Sequence, residues 1–137
     1  MANKVTNTKT VQASGTRKEA VARSTIKAGK GVIKINGQLL ENFSNQMSRL
    51  RISEPLVLAE DVVKKINVSV SVNGGGVNGQ ADAIRLAIAR ALVVYDNKLE
   101  KTFNDYDRLL LVADVRRKEV CKPNDSKARA KRQKSYR

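Results

Sequence analysis

Three glycines in "SVSVNGGGVNGQADAIRLAIARAL" (69–92) have a spacing that could do chemistry. Gly74, Gly76 and Gly79 fit G-x-G-x-x-G, the turn that cradles a dinucleotide pyrophosphate. Glycines let backbone N–H groups approach a phosphate, and the start of a helix favours negative charge. The surroundings agree in part. Ile66, Val68, Val70 and Val72 alternate with Asn67, Ser69 and Ser71, as in a half-buried strand. Beyond the loop, Ile84, Ile88, Leu92 and Tyr95 recur at helical spacing, with Ala87 and Ala91 on the same face. The remaining parts of the fingerprint are missing. An acidic residue about 20 positions on should close a second strand and hold a ribose. Glu100 stands near that distance, but in "YDNKLEK", which is polar and helix-like. A P-loop needs Lys and Ser/Thr after its last glycine, and Gln80 and Ala81 stand there instead. Two readings remain. One is a nucleotide site on Gly74–Gly79. The other, which we favour, is a structural loop of Gly74, Gly75, Gly76 and Gly79 that lets helix and sheet pack closely.

Other catalytic chemistry is thinly supplied. The chain has no histidine, so the commonest general base and metal ligand is absent. Cys121 is the single cysteine, which fits a reducing, intracellular setting and leaves no disulfide to form. Among neighbouring cations it is either a lowered-pKa thiolate or, as we read it, incidental. The acidic pairs Glu60/Asp61 and Asp105/Asp107 lie among polar residues expected to be exposed. No nucleophile–base pair can be assembled from these residues, and we expect no enzyme, cofactor or metal.

Charge points elsewhere. Lys and Arg number 27 against 13 Asp and Glu in 137 residues, a net charge of +14. A partner with many phosphates accounts for this directly. A membrane surface does not, because there is no long apolar run or basic amphipathic helix. "MANKVTNTKTVQ" lacks an apolar signal region, so the sequons at Asn42 and Asn67 are read as accidental. Two basic groups stand out. Arg17, Lys18, Arg23 and Lys27 lie on and before a first strand, with Lys30 and Lys34 close in sequence; such a row is either a solvated face or a phosphate-binding one. Residues 116–137 hold ten Lys/Arg and two Asp/Glu, a net +8 that exceeds the share of all preceding residues. This tail has no apolar period after Val120 and cannot fold alone. It reads as an arm that orders on a polyanion, or else as a localisation signal or nonspecific tail. Tyr136 could stack on a base or ribose.

These groups need a scaffold. Residues 1–10 are polar and expected to be flexible. From Val11 to Lys27, Ala20, Ala22, Ser24 and Ile26 would face a core, while Arg17, Arg23 and Lys27 share the opposite side of an extended strand. "AGKG" (28–31) turns into a second strand, "VIKI" (32–35), closed by Asn36-Gly37, so the two read as a hairpin. Ser53 is a plausible N-cap, with Glu54 and Pro55 opening a helix that runs to about Lys65. The strand 66–72, the glycine loop and a long helix to about Tyr95 follow. A helical piece at 97–106 leads to "RLLLVADV" (108–115), an apolar run that reads as a buried strand. The order β-β-α-β-α-β predicts an α/β two-layer sandwich, a mixed sheet with helices packed on it. The divisions are 1–10, a globular 11–115, and the arm 116–137.

Three separated stretches, "SGTRKEAVAR" (14–23), "NGGGVNGQADAIRLAIARAL" (73–92) and "KARAKRQKSYR" (127–137), resemble the ninth-protein family of the small ribosomal subunit, in its archaeal and eukaryotic form. The likeness runs from about Val11 to Arg137. It implies a cytoplasmic, non-enzymatic protein bound to ribosomal RNA in the subunit head, among neighbouring ribosomal proteins. It also implies a left-handed βαβ crossover, where general rules favour the right-handed form. By the same resemblance Arg17, Lys18, Arg23 and Lys27 belong to an RNA-facing strand region. Arg116, Arg117, Lys122, Lys127, Arg129, Lys131 and Arg132 would line the RNA path of the arm. Lys134, Ser135, Tyr136 and Arg137 would form a tip near the anticodon stem-loop of the peptidyl-site tRNA. The glycine loop would start a helix and approach RNA. Val115 stands where members often carry Pro or Ala, which bears on the angle at which the arm leaves. Outside this family, the sequence leaves a nucleotide-dependent enzyme and a free, nonspecific nucleic-acid binder as the competing classes.

Overall fold

The structure, a computed structural model, describes residues 10–136. Most of the expected flexible N-terminus, residues 1–9, lies outside them, as does Arg137. Five strands build one mixed sheet: β1 (Val11–Arg17), β2 (Ala20–Ala28), β3 (Ile33–Ile35), β4 (Gln38–Leu39) and β5 (Ile66–Asn73), in the order β1-β2-β5-β3-β4. Neighbours are antiparallel except β3 and β5, which run parallel. The chain passes between those two through α1 (Gln46–Leu58) and α2 (Glu60–Val63), a βαβ-type connection. Then come α3 (Val77–Tyr95), α4 (Leu99–Tyr106) and a short 3₁₀ turn at Arg108–Leu110.

The sheet is apolar on one face only. Along β5, burial alternates without a break, with Ile66, Val68, Val70 and Val72 inward and Asn67, Ser69, Ser71 and Asn73 outward. On β2, Ala20, Ala22, Ser24 and Ile26 take the same inner face, as the sequence predicts. Against it lies α3, whose Ala83, Ile84, Ala87, Ile88, Ala91 and Leu92 are buried. The small residues let helix and sheet approach closely. A Cβ built on Gly15 in β1 would sit 2.4 Å from the Ala83 carbonyl oxygen and 2.6 Å from the Ala87 nitrogen. Ile52 and Leu56 of α1, then Phe103 and Leu110, close the far side of the core. The α/β architecture, the strand at 66–72 and the long helix are therefore as expected.

Four expectations need correction. The single strand expected over 11–27 is a hairpin, β1 and β2, turning at Lys18-Glu19 with Lys18 at φ +54°. No Gly, Pro, Asn or Asp marks that turn. The hairpin expected between 11–27 and 32–35 does not form, because β5 inserts between β2 and β3; Asn36-Gly37, both at positive φ, instead turns β3 into β4. The helix expected from an N-cap at Ser53 starts eight residues earlier. Its N-cap is Asn45, whose side chain accepts from the Ser48 N–H at 2.8 Å, while Ser53 donates back to the Arg49 carbonyl within the helix and Pro55 sits inside it. The inward residues Ser48 and Pro55 break up the apolar stripe that would have revealed it. Finally, "RLLLVADV" is not a strand. Its first half is a 3₁₀ turn in which the Leu110 N–H donates to the Asp107 carbonyl and the Leu111 and Val112 N–H groups to that of Arg108, and arginine side chains tie the segment to the domain.

Candidate nucleic-acid interface

The uncovered face of the sheet is polar, and the strand register shows how it is tiled. Directly paired residues share a face. One row is therefore Ser14–Arg23–Ser71, the next Gln12–Thr25–Ser69–Lys34, and the next Lys27–Asn67. Arg23, Lys27 and Lys34 supply three positive charges, and no Asp or Glu stands in these rows. Hydroxyls and amides between the cations offer further hydrogen bonds. A phosphate backbone laid on this surface would meet charge without competition from carboxylates. The sequence reading placed Arg23 and Lys27 here, and the fold brings them together. Lys34 joins them only because β5 carries β3 into the sheet.

Arg17 is not on this face, which corrects the expectation that it lies beside Arg23 and Lys27. A two-residue turn pairs Arg17 with Ala20. Both side chains then point to the helix-covered side, so counting alternation straight through Lys18-Glu19 gives the wrong face. The Arg17 side chain is 15% exposed and lies 3.1 Å from Asp114 and 3.8 Å from Asp82 of α3. Its Nη1 donates to the Arg116 carbonyl at 3.2 Å.

Two further arginines, missed in the sequence reading, extend this arrangement. From α3, Arg85 meets Glu54 of α1 at 2.5 Å and Asp107 at 2.8 Å. Arg90 donates to the Leu111 carbonyl at 2.9 Å and to the Ser14 carbonyl on the edge strand β1 at 3.0 Å. Arg85, Arg90 and Arg17 thus staple residues 107, 111 and 114–116 to the domain. Together with the backbone bonds of the 3₁₀ turn, they hold this segment without a strand ladder. The available signal was two charged residues inside the otherwise apolar "AIRLAIARAL". Asp107, read from sequence as exposed, is instead half-buried in an ion pair. Burial pushes its carboxyl up, but the Leu109 N–H and the Arg85 guanidinium outweigh that and hold it below the ordinary value. Asp114 is held far below the carboxylate range, first by its hydrogen bonds from the Arg116 side chain and backbone, and further by Arg17.

The first two glycines of the loop pack against the chain itself. Gly74 has φ +76°, and a Cβ there would lie 2.5 Å from the Glu19 carbonyl oxygen; one on Gly75 would meet Ala20 at 3.0 Å. The glycines bring the loop against the β1–β2 turn, which is the structural reading. Gly76 is the N-cap of α3 and, like Gly79, is not crowded by a close neighbour. No side chain caps this helix start and its first turn holds no acidic residue. The exposed Lys18 lies beside it at the hairpin tip, together with the carboxylates of Glu19 and Asp82.

The arm is exposed along almost its whole described length, with no helix or strand after Leu110 among the described residues. Arg116 chelates Asp114 at 2.6 Å, and Arg129 makes a two-pronged pair with Glu119 at 2.6 and 2.9 Å. Between these last two the chain turns at Lys122–Asp125, with Asn124 at φ +62°. Arg117, Lys118, Lys122, Lys127, Lys131, Arg132 and Lys134 have no carboxylate partner among the described residues. Ser135 and Tyr136 are exposed, Tyr136 at 91%. Cys121 is free and exposed. Among the described residues no group of His, Cys, Asp and Glu could hold a metal, and no helix is long and apolar enough to cross a membrane.

Comparison with known proteins agrees with the resemblance. The family model described as "Ribosomal protein S9/S16" matches residues 15–137. The chain is 55% identical over 126 residues to the small ribosomal subunit protein uS9 of Thermoplasma volcanium, covering 90% of this chain and 96% of that one. It is 52% identical to the uS9 of Thermoplasma acidophilum, covering 90% and 98%, and 47% identical over 131 residues to that of Methanothrix thermoacetophila, covering 94% and 99%. A match of this length and identity, carried by the hairpin, the glycine loop and the basic arm together, means that the chain belongs to the ribosomal protein S9/S16 family, a family of ribosomal structural proteins rather than of enzymes.

Proposed function

We propose that this protein is a structural constituent of the cytoplasmic small ribosomal subunit. Its domain binds ribosomal RNA of the subunit head, and its arm runs through RNA toward the peptidyl-site tRNA. The observation that carries this reading is the distribution of unpaired cations. Arg23, Lys27 and Lys34 occupy a sheet face without a carboxylate in its strand rows, Lys18 sits at the hairpin tip, and seven arm cations have no carboxylate partner among the described residues. Contacts of this kind position a partner on phosphates and read no sequence. Neighbouring proteins of the head complete the surroundings. Lys134, Ser135, Tyr136 and Arg137 form the tip that meets the anticodon stem-loop, with Tyr136 offering a ring to ribose or base. The arm gains its order from the RNA, so its folding cost is met on assembly.

Sedimentation of the tagged chain with native subunits, before and after a high-salt wash, tests the placement. The reading expects stoichiometric retention in the small-subunit peak; loss into the top fractions would make the protein a loose polyanion binder. Subunits lacking residues 134–137 should assemble normally and hold peptidyl-site tRNA less tightly. Unchanged tRNA affinity in the truncated subunit would remove the role of the tip.

A further inference from the structure

Arg17 is the one member of the basic hairpin motif that the fold withdraws from the open face, and its surroundings suggest a different use. Its guanidinium lies between α3 and the start of the arm, 3.8 Å from Asp82, 3.1 Å from Asp114, and bonded to the Arg116 carbonyl at 3.2 Å. We propose that Arg17 is the positioning residue of the arm: it fixes Asp114 and Arg116 against the domain and so sets the direction in which the chain leaves. The geometry fits this task. A planar guanidinium can bind two carboxylates and a carbonyl in one fork, which a lysine ammonium on a flexible stem cannot do with the same orientation. Asp114 in turn accepts from the Arg116 N–H at 3.0 Å and from the Arg116 side chain, which bends the chain tightly around residue 115. Val115 is 86% exposed and contributes no packing, so the exit depends on these polar contacts. Upstream, Arg90 holds Leu111; downstream, Arg117 is exposed.

Direction at the root matters because the arm is long. From Arg117 to Tyr136 an extended chain of this length reaches roughly 60 Å at about 3.3 Å per residue, so a small error in exit angle displaces the tip by many ångströms. An arm that leaves in the right direction also has less freedom to lose when it orders on a partner. That consequence rests on the arm being the polyanion-binding segment, as proposed above. The clamp itself is a property of the free chain, so the two ideas fail separately.

Cys121, the only cysteine, supplies a natural label on the arm, and a second can be introduced on the open sheet face by Ser69→Cys. Distances between spin labels at these positions are then measured in the full chain, with thermal unfolding followed on the same samples. In the otherwise unchanged protein the arm is free from Arg116 to Cys121. In Arg17→Lys, Arg17→Ala and Asp114→Asn it would be free from Leu111. The distance distribution should widen about 1.4-fold, as the square-root dependence on free length gives for ten residues against five. Arg51→Ala removes the other ion-pair partner of Asp82, at 3.3 Å, without touching the arm root, and should leave the distribution unchanged. Asp114→Asn is nearly isosteric and keeps the test open if Arg17→Ala does not fold. The salt dependence of binding to deproteinised small-subunit ribosomal RNA supplies the second readout. A residue that touches no phosphate leaves the slope of log affinity against log salt as it was, whereas loss of a phosphate contact lowers it by roughly 0.7 to 0.9. An unchanged distance distribution in folded Arg17→Lys and Asp114→Asn would overturn the proposal, and so would a slope lowered by that amount.

Discussion

On the helix-covered side of the sheet, Arg17, Arg85 and Arg90 each end on carboxylate or carbonyl oxygens of the same chain. On the open side, Arg23, Lys27 and Lys34 end on none. The two sets are alike in charge and differ in where strand register and helix face point them. The inward set replaces a missing strand and ties residues 107–116 to the core. The outward set continues, through that tied segment, into the unpaired cations of the arm. A net charge of +14 is therefore not one property of the surface but two uses of the same residue types.

If the division is right, the two sets should respond oppositely to mutation. The largest effect is expected from Arg85→Ala. It leaves Asp107 and Glu54 without their half-buried partner and should cost roughly 3 kcal/mol of folding stability by urea unfolding, toward the lower end for a broken buried pair. The folded fraction should bind RNA with an unchanged salt slope. The double substitution Arg23→Ala and Lys27→Ala should do the reverse. Stability stays within about 0.5 kcal/mol, as for surface changes generally, while the salt slope of RNA binding falls by roughly 1.4 to 1.8 if both cations touch phosphate. A stability loss comparable to that of Arg85→Ala, with the slope intact, would erase the distinction.

The smallest effect is in pH. Asp107 and Asp114 both have folded-state pKa values below their unfolded ones. Their contribution is complete above the unfolded value, near 3.9 for an ordinary Asp, and is lost as pH falls toward the folded values. With no histidine in the chain, thermal unfolding should be flat between about pH 5.5 and 8 and should weaken only below about pH 4. Asp114→Asn should flatten part of that acid limb. An acid limb of the same depth in that variant would separate Asp114 from the inward set.

Sequence made the outward set legible and hid the inward one, for a physical reason. Arg23 and Lys27 alternate with Ala22, Ser24 and Ile26 along one uninterrupted strand, so period two assigns their face correctly. Arg17 lies across a turn built from Lys18 and Glu19, which carry no turn signal, and the alternation changes phase there. The strand 66–72 and the helix 77–95 were clear because apolar periodicity alone sets them. The helix at Gln46 was obscured by Ser48 and Pro55 on its inner face. The run at 108–115 misleads because apolar content suggests a strand wherever nothing shows what satisfies the backbone, and here a local 3₁₀ turn, the Asp107 side chain and Arg90 do so. At the glycine loop, Gly74 and Gly75 approach the chain too closely for a Cβ, as a packing role requires. What no local pattern reveals is that the loop's close neighbour is the hairpin turn at Glu19 and Ala20.

The central claim is that the outward cations are the ones that meet RNA. Lysine acetylation, read by mass spectrometry on the free chain and on the chain within intact small subunits, tests it most directly. The account predicts that Lys27, Lys34, Lys122, Lys127 and Lys131 react freely in the isolated protein and are protected in the subunit. If Lys27 and Lys34 react in the subunit as fast as in the free chain, the open sheet face is not the RNA-binding surface and the division drawn here is wrong.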